Sequence, residues 1–296
     1  MKLQVHNMHY LGKSSKEKRN DLCVHGNIYF EIDGDVICGL ESTWCVSASA
    51  YRFMKSLKED HWCDEQKQMI PCCGGLYIPS DDETSVTIVG CDNGIDFDVI
   101  RDNNNNVNNN NINNNIENIK IITDNKEYIL NFTDYKEVVT GFVNEVEKFY
   151  LESEKSYYSN FEKSGFSAFI TEWHMLKKSL NIDYNIDIIK DKLTDDFINI
   201  NEQDIIGINK YGITFNNFVF FEFKQDLIDP IGDILIGKNY CLVIYGKIYN
   251  KDIELNIDFN KDKFFTKGFR SHKTRKRFNE LTSKIESYGY KLNKII

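Results

Sequence analysis

The chain has 296 residues, of which 41% are hydrophobic and 27% are charged, and its formal net charge is −9. This length fits one large domain or two ordinary ones. It is enough to build a hydrophobic core that does not require stabilisation by disulfide bonds or metal ions. The acidic balance disfavours general nucleic-acid binding, which requires a basic domain or a basic face.

The sequence predicts a cytoplasmic protein that does not associate with a membrane. No run approaches the roughly 18 consecutive apolar residues that span a bilayer, and residues 1–21 lack the apolar core of a secretory signal. The chain contains eight cysteines, but a disulfide framework is typical of exported chains shorter than about 100 residues. We therefore expect reduced and mostly buried thiols.

The first predicted elements are a hairpin and a helix. Residues 27–40 fit a β-hairpin, because Asp33-Gly34 suits the two positive-φ positions of a type I′ turn. Apolar residues at the spacing i, i+3, i+4 and i+7 then predict a helix over residues 48–60. Ser47 or Ser49 is available as its N-cap.

A strand and a low-complexity tract follow. Strict alternation over residues 95–99 predicts a half-buried strand whose two carboxylates, Asp96 and Asp98, share one face. Residues 103–115 contain 11 asparagines in 13 positions. Asparagine cannot build a core and prefers turns, so this tract predicts a disordered loop that interrupts a sheet.

The sheet is expected to resume and then be covered by helices. Residues 119–123 and 127–132 predict a pair of strands with a short turn between them. A continuous apolar stripe predicts a helix over residues 134–152, with Thr133 as its N-cap. A second amphipathic helix is predicted over residues 163–180.

The remaining chain predicts a second module of similar class. Runs of β-branched and aromatic residues predict strands between residues 204 and 259, and an amphipathic helix over residues 273–288 ends at Gly289. We therefore predict an α+β fold of two modules, residues 1–160 and 161–296. Each module is expected to be a mainly antiparallel sheet covered by helices.

Cysteine and histidine residues give two candidate sites, and both have simpler explanations. His61 and Cys63 precede Cys72 and Cys73, but no C-x₂-C pair is present, and structural zinc sites usually contain such pairs. Cys72 or Cys73 is a candidate nucleophile with His61 or His174 as the base, although no orienting partner is visible. No phosphate loop, nucleophile elbow or dinucleotide fingerprint occurs in the sequence. We assign no catalytic residue, metal or cofactor.

The first module is strongly acidic. Between Asp21 and Asp102 the sequence has 16 acidic and 5 basic residues, a local net charge of −11. A dense carboxylate face steers a basic partner toward the surface, although an ordinary solvated face shows the same composition. The predicted partner-binding residues are Asp64, Glu65, Asp92, Asp96 and Asp98.

The second module contains a basic run near its end. Between Asp262 and Arg277 there are seven basic residues and one acidic residue, a local net charge of +6. Arginine forks bind phosphate and carboxylate groups in a bidentate manner, although most surface charge runs are only solvated faces. The predicted anion-binding residues are Arg270, Lys273, Arg275 and Arg277. Nucleic acid is expected to bind only at this run.

Three segments of the chain resemble a known group of proteins. Residues 70–78 (IPCCGGLYI), residues 93–100 (NGIDFDVI) and the helix at 135–150 are similar to small intracellular proteins of Gram-positive bacteria. Some of these are immunity proteins encoded beside polymorphic toxins. The resemblance covers about residues 25–180 and includes Glu172-Trp173-His174. It implies binding to a toxin, and it carries no catalytic motif.

The leading hypothesis is a non-enzymatic protein-binding module, most specifically a toxin-neutralising immunity protein. Its acidic face would cap a basic partner such as a toxin or nuclease domain. The alternative is an enzyme that acts on RNA or a phosphorylated substrate through the basic C-terminal helix. A third hypothesis is a structural or regulatory scaffold that assembles through the Asn-rich loop.

Overall fold

The computed structural model describes six stretches of the chain, which form helices and mainly antiparallel sheets. These stretches are residues 1–63, 67–102, 118–183, 197–224, 241–259 and 270–290. The combination of elements confirms the predicted α+β class. The Asn-rich tract at 103–115 lies outside the described residues.

The chain divides into two compact units that alternate along the sequence. The first unit contains Met1–Ile78, Thr87–Tyr158 and Trp173–Tyr184, and the second contains Pro79–Val86, Ser159–Glu172 and Asn185–Ile296. The boundary predicted between residues 160 and 161 lies close to the change at residues 158 and 159. Two groupings were not predicted: Pro79–Val86 belongs to the second unit, and Trp173–Tyr184 belongs to the first.

The first unit starts with a sheet in the order β1-β2-β3, and a short strand, β4, also pairs with β2. Its strands are β1 Lys2–His9, β2 His25–Ile32, β3 Asp35–Cys38 and β4 Trp44–Cys45. Helix α1 is Ser15–Asn20 and helix α2 is Val46–Ser56. The predicted hairpin turn is confirmed, because Asp33 and Gly34 have φ values of 51° and 88°.

Short strands and a three-stranded antiparallel sheet follow. The short strands are β5 Ile70–Pro71, β6 Leu76–Pro79, β7 Val86–Val89 and β8 Gly94–Ile95. The sheet, in the order β11-β10-β9, contains β9 Asp98–Asp102, β10 Asn118–Ile122 and β11 Glu127–Asn131. The pair β10 and β11 confirms the strand pair predicted at 119–132. Residues 95–99 are not one strand, because the chain leaves the ladder at Asp96 and Phe97.

Two long helices follow in the sequence. Helix α3 is Phe132–Leu151 and helix α4 is Asn160–Ser179, which confirms both predicted helices. Two N-cap predictions were wrong. The Asn131 side chain, rather than Thr133, caps α3. The N-cap of α2 is Cys45, because Ser47 Oγ instead accepts a hydrogen bond from the Val24 N–H.

The core of the first unit is built on aromatic rings. Phe97 stacks on Phe30 with ring centroids 5.2 Å apart, and Phe53 contacts both Phe30 and Phe142 edge to face. All four side chains are buried. Phe97 therefore points inward, and this orientation turns its neighbours Asp96 and Asp98 toward the opposite side of the backbone.

The second unit is a six-stranded mixed sheet in the order β12-β17-β16-β15-β14-β13. Its strands are β12 Phe197–Asn201, β13 Ile205–Asn209, β14 Gly212–Phe215, β15 Phe220–Phe223, β16 Cys241–Ile248 and β17 Lys251–Asp258. A 3₁₀ turn at Glu202–Asp204 connects the first two strands. β12 pairs with β17 in parallel, and the strands from β13 to β17 pair with one another in an antiparallel manner.

The second unit ends in helix α5, Arg270–Ser287. Phe278, Leu281 and Ile285 are buried, as their spacing predicts. Gly289 has a φ of 92°, which fits its predicted position after the helix. In the part of the chain that the structure covers, no helix is both long enough and apolar enough to cross a membrane.

Candidate partner-binding site

The candidate site lies in the first unit, where the segment at residues 61–63 runs beside β9. His61 and Val99 exchange both backbone hydrogen bonds, each with an N···O distance of 2.8 Å. Such a pair fixes the backbone of the segment in an extended form, so successive side chains point to opposite sides. His61 is half-buried on one side, and Trp62 projects on the other.

Carboxylates hold this segment in place from both flanks. Asp96 Oδ1 lies 2.9 Å from His61 Nε2 and accepts a second hydrogen bond of 2.9 Å from the Met69 N–H. Asp98 Oδ1 accepts a bond of 2.7 Å from the backbone N–H of Cys63. Charge-assisted hydrogen bonds of this length are about twice as strong as neutral ones. The two acids therefore have a structural role in addition to their charge.

The Trp62 side chain is the main exposed apolar feature at this place, with an exposed fraction of 58%. The next residue, Cys63, lies in an acidic environment. Partial desolvation raises the pKa of the Cys63 thiol to about 12, and the Asp98, Asp96 and Asp124 carboxylates add to this rise. We call the group formed by Trp62, Cys63, Asp96, Asp98 and Asp124 the Trp62 surface.

The remaining predicted acidic residues lie elsewhere or outside the described residues. Asp92 is exposed and lines an open cleft of about 490 Å³ together with Trp44 and Cys72. Asp64 and Glu65 lie outside the described residues, directly after Cys63 in the sequence. The structure therefore brings Asp96 and Asp98 together, as the alternation predicted, and gives both of them hydrogen-bond donors within the unit.

The predicted anion-binding run lies at the start of α5 in the second unit. Arg275 is exposed and borders an open cleft of about 650 Å³. Arg277 Nη1 lies 2.9 Å from Glu202 Oε2, so its charge already has a carboxylate partner. The backbone of Arg270 and Lys273 is helical, but their side chains lie outside the described part of the structure.

The cysteine and histidine candidates, for which no catalytic role was assigned, lie in the first unit. His61 binds Asp96, and His174 is buried. Desolvation raises the pKa values of the Cys72 and Cys73 thiols, which disfavours the reactive thiolate form. These observations do not favour an activated nucleophile at Cys72 or Cys73.

Two features of the first unit were missed from the sequence. Trp62 was overlooked, although a tryptophan inside the polar segment at residues 59–67 is itself a signal of an exposed aromatic side chain. The second feature is the group of Asp21, Cys23 and His25, whose donor atoms lie within 4.8 Å of one another and of which Cys23 and His25 are buried.

Comparisons with known proteins yield no relative. No protein-family model, curated protein or solved structure matches the chain. The resemblance to immunity proteins therefore stays a prediction.

Proposed function

We propose that the chain is a protein-binding module that docks a basic partner on the Trp62 surface, in the manner of a toxin-neutralising immunity protein. The observation that carries the proposal is the 58% exposed Trp62 side chain, on a segment whose neighbouring residues His61 and Cys63 are bound by the Asp96 and Asp98 carboxylates. Tryptophan is among the residues most enriched at binding hot spots. Burial of its ring against a partner would supply the apolar centre of the interface.

The acidic rim complements that centre. Asp98 binds the backbone N–H of Cys63, the residue after Trp62, and the Asp98 and Asp124 carboxylates raise the pKa of the Cys63 thiol. Carboxylates at an interface rim attract a basic partner and increase the rate of association more than the final affinity. A basic toxin or nuclease domain has the charge that fits this rim.

The site is also held rigid before binding. The backbone on both sides of Trp62 is fixed by hydrogen bonds. These are the two backbone bonds between His61 and Val99, the Asp96–His61 bond and the Asp98–Cys63 bond. A preorganised aromatic anchor loses less conformational freedom when it binds, and this retained freedom contributes to affinity.

The alternative function, an enzyme that acts on RNA or a phosphorylated substrate, has less support. Arg277 is paired with Glu202, and the raised pKa values of Cys72 and Cys73 oppose nucleophilic catalysis. We therefore give priority to the binding function.

Affinity capture with tagged protein in its native cell tests the proposal. The wild type and a Trp62→Ala variant are compared by quantitative mass spectrometry. Tyr158→Ala is the matched control, since Tyr158 is an exposed aromatic residue of the same unit, outside the Trp62 surface. We expect one basic protein to be captured by the wild type and the control, and to be depleted with Trp62→Ala. Equal capture by all three forms, or capture of acidic proteins alone, would contradict the proposal.

A further inference from the structure

The first unit contains a compact group of metal-binding side-chain types that the Trp62 surface does not use. The donor atoms of Asp21, Cys23 and His25 all lie within 4.8 Å of one another, and Cys23 and His25 are buried. Among the described residues, this is the one cluster of three or more such donors that approaches so closely. Buried polar side chains need partners, and a bound cation satisfies several of them at once.

The local backbone explains why these residues converge. Helix α1 ends with Asp21 as its C-cap, the chain bends at Cys23, and β2 begins at His25. The Cys23 N–H donates a hydrogen bond of 3.1 Å to Asp21 Oδ1, which holds these two residues together. Cys45 adds a fourth donor from β4, where it is the cross-strand partner of His25. Its thiol and the Cys23 thiol both lie against Gly74, because Cys23 Sγ donates to the Gly74 carbonyl oxygen at 3.0 Å and a β-carbon at position 74 would lie 2.7 Å from Cys45 Sγ.

The distance between the Asp21 and His25 donor atoms fits a small tetrahedral cation. Asp21 Oδ2 and His25 Nε2 are 3.3 Å apart. Zinc bonds of about 2.0–2.3 Å in a tetrahedron place neighbouring ligand atoms about 3.3–3.8 Å apart. Two thiols, one imidazole and one carboxylate are also a donor set that zinc accepts, whereas calcium and magnesium prefer oxygen donors alone.

Surrounding groups orient the donors. Asp21 Oδ2 accepts a hydrogen bond of 2.6 Å from the Leu11 N–H, and Lys155 Nζ donates a bond of 2.7 Å to the Asp21 carbonyl oxygen. The Ser47 hydroxyl oxygen lies 3.6 Å from Cys45 Sγ. Outer contacts of this kind are characteristic of metal sites, because they fix the direction of each donor.

Close packing of Gly74 separates this group from solvent. A β-carbon at position 74 would lie 2.7 Å from Cys45 Sγ and 3.0 Å from the Ala48 β-carbon, so the backbone at 74 can cover the thiol only as glycine. Cys45 is fully buried. A catalytic cysteine needs access for its substrate, whereas a structural metal site is closed.

We propose that Asp21, Cys23, His25 and Cys45 form a closed structural zinc site in the first unit. Each thiol that is protonated before binding releases its proton to solvent when its sulfur bonds to the metal. The metal would join the end of α1, the start of β2 and strand β4, and so stabilise the folded unit.

Titration of the chelator-treated, reduced full-length protein with Co²⁺ tests the site. Cobalt in a tetrahedral site with two thiolates gives intense visible bands and a sulfur-to-metal charge-transfer band. We expect one equivalent of Co²⁺ to saturate these bands, Zn²⁺ to displace it, and Zn²⁺ to raise the melting temperature. The absence of thiolate bands would overturn the proposal.

Variants assign the binding to these residues. His25→Asn and Cys45→Ser are each expected to weaken Co²⁺ binding by at least about 100-fold, since even outer-shell changes reduce affinity about 10–100-fold. The matched control is the triple variant Cys72→Ser, Cys73→Ser, Cys91→Ser, which removes other thiols of the same unit and should keep the bands. Circular dichroism without metal verifies that each variant is folded. Bands that persist in His25→Asn, or disappear in the control, would contradict the assignment.

Discussion

The His61 imidazole and the Asp96 carboxylate lie 2.9 Å apart, and each has only about 15% of its side chain exposed. The same carboxylate oxygen accepts the Met69 N–H. This single acid therefore joins the segment that carries Trp62 to the start of β5. The Asp96 carboxylate therefore stabilises the local structure and also contributes negative charge to the Trp62 surface.

Replacement of Asp96 by alanine is expected to destabilise the first unit. The His61 side chain and the Met69 N–H would both lose an acceptor, and an unsatisfied half-buried polar group costs about 1–3 kcal/mol. Asp92→Ala is the matched control, because Asp92 is an exposed acid of the same region, where substitutions usually change stability by less than about 0.5 kcal/mol. Urea denaturation of both variants measures the difference. Equal urea midpoints for the two variants would show that the hydrogen bonds of Asp96 contribute nothing to the free energy of unfolding.

The rate of association with the captured partner is expected to fall as salt concentration rises. The carboxylates of the Trp62 surface attract a basic partner through solvent, and about 0.5 M salt screens this attraction much more than about 0.05 M salt. Asp124→Lys should lower the association rate further, because Asp124 is an exposed turn residue of this surface. Glu145→Lys, an equal charge change on the exposed side of α3, serves as the control. A rate that is indifferent to salt and to Asp124→Lys would exclude electrostatic steering.

A buried ion pair between α3 and the end of α4 gives a prediction about stability alone. Lys177 Nζ lies 2.6 Å from Glu147 Oε2, both side chains are fully buried, and Trp173 Nε1 donates to the other oxygen of Glu147. Lys177→Met would leave the Glu147 carboxylate buried without its cation, at a cost of about 3–5 kcal/mol.

The double variant Lys177→Met, Glu147→Leu distinguishes a broken pair from poor packing. Removal of both charges is expected to recover much of the loss, because apolar residues of similar volume often replace a buried pair without destabilisation. Chemical denaturation of the single and double variants measures this recovery. A double variant no more stable than Lys177→Met would show that poor packing, and not the unpaired Glu147 charge, causes the loss.

Local patterns predicted most elements of the fold. The turn at Asp33-Gly34 followed from residues that accept positive φ, and α3 and α4 followed from apolar stripes of helical period. These signals depend on neighbours within a few residues. They therefore do not require knowledge of tertiary contacts.

Elements that depend on distant partners were not predicted. Strand β1, Lys2–His9, has few apolar residues, and its pairing with β2 supplies the ladder that its own sequence does not indicate. The parallel pairing of β12 with β17 joins residues more than 50 positions apart. No local pattern specifies which strands become neighbours.

The site was predicted only in part for the same reason. The alternation at residues 95–99 placed Asp96 and Asp98 on the side opposite the buried Phe97, although these residues are not one continuous strand. It could not show that residues 61–63 lie against them and take their hydrogen bonds. The group around Cys23 also depends on a contact between distant residues, because Cys45 approaches it by pairing with His25, 20 positions away in the sequence.

The most direct test of the account is the dissociation constant of the purified captured partner for the wild type, Trp62→Ala and Tyr158→Ala. All three forms should have closely similar melting temperatures, because both side chains are mainly exposed. Loss of a hot-spot tryptophan costs about 2 kcal/mol or more, which corresponds to about 30-fold weaker binding. We expect this loss with Trp62→Ala alone. Unchanged affinity with Trp62→Ala would contradict the central claim that the Trp62 surface binds the partner.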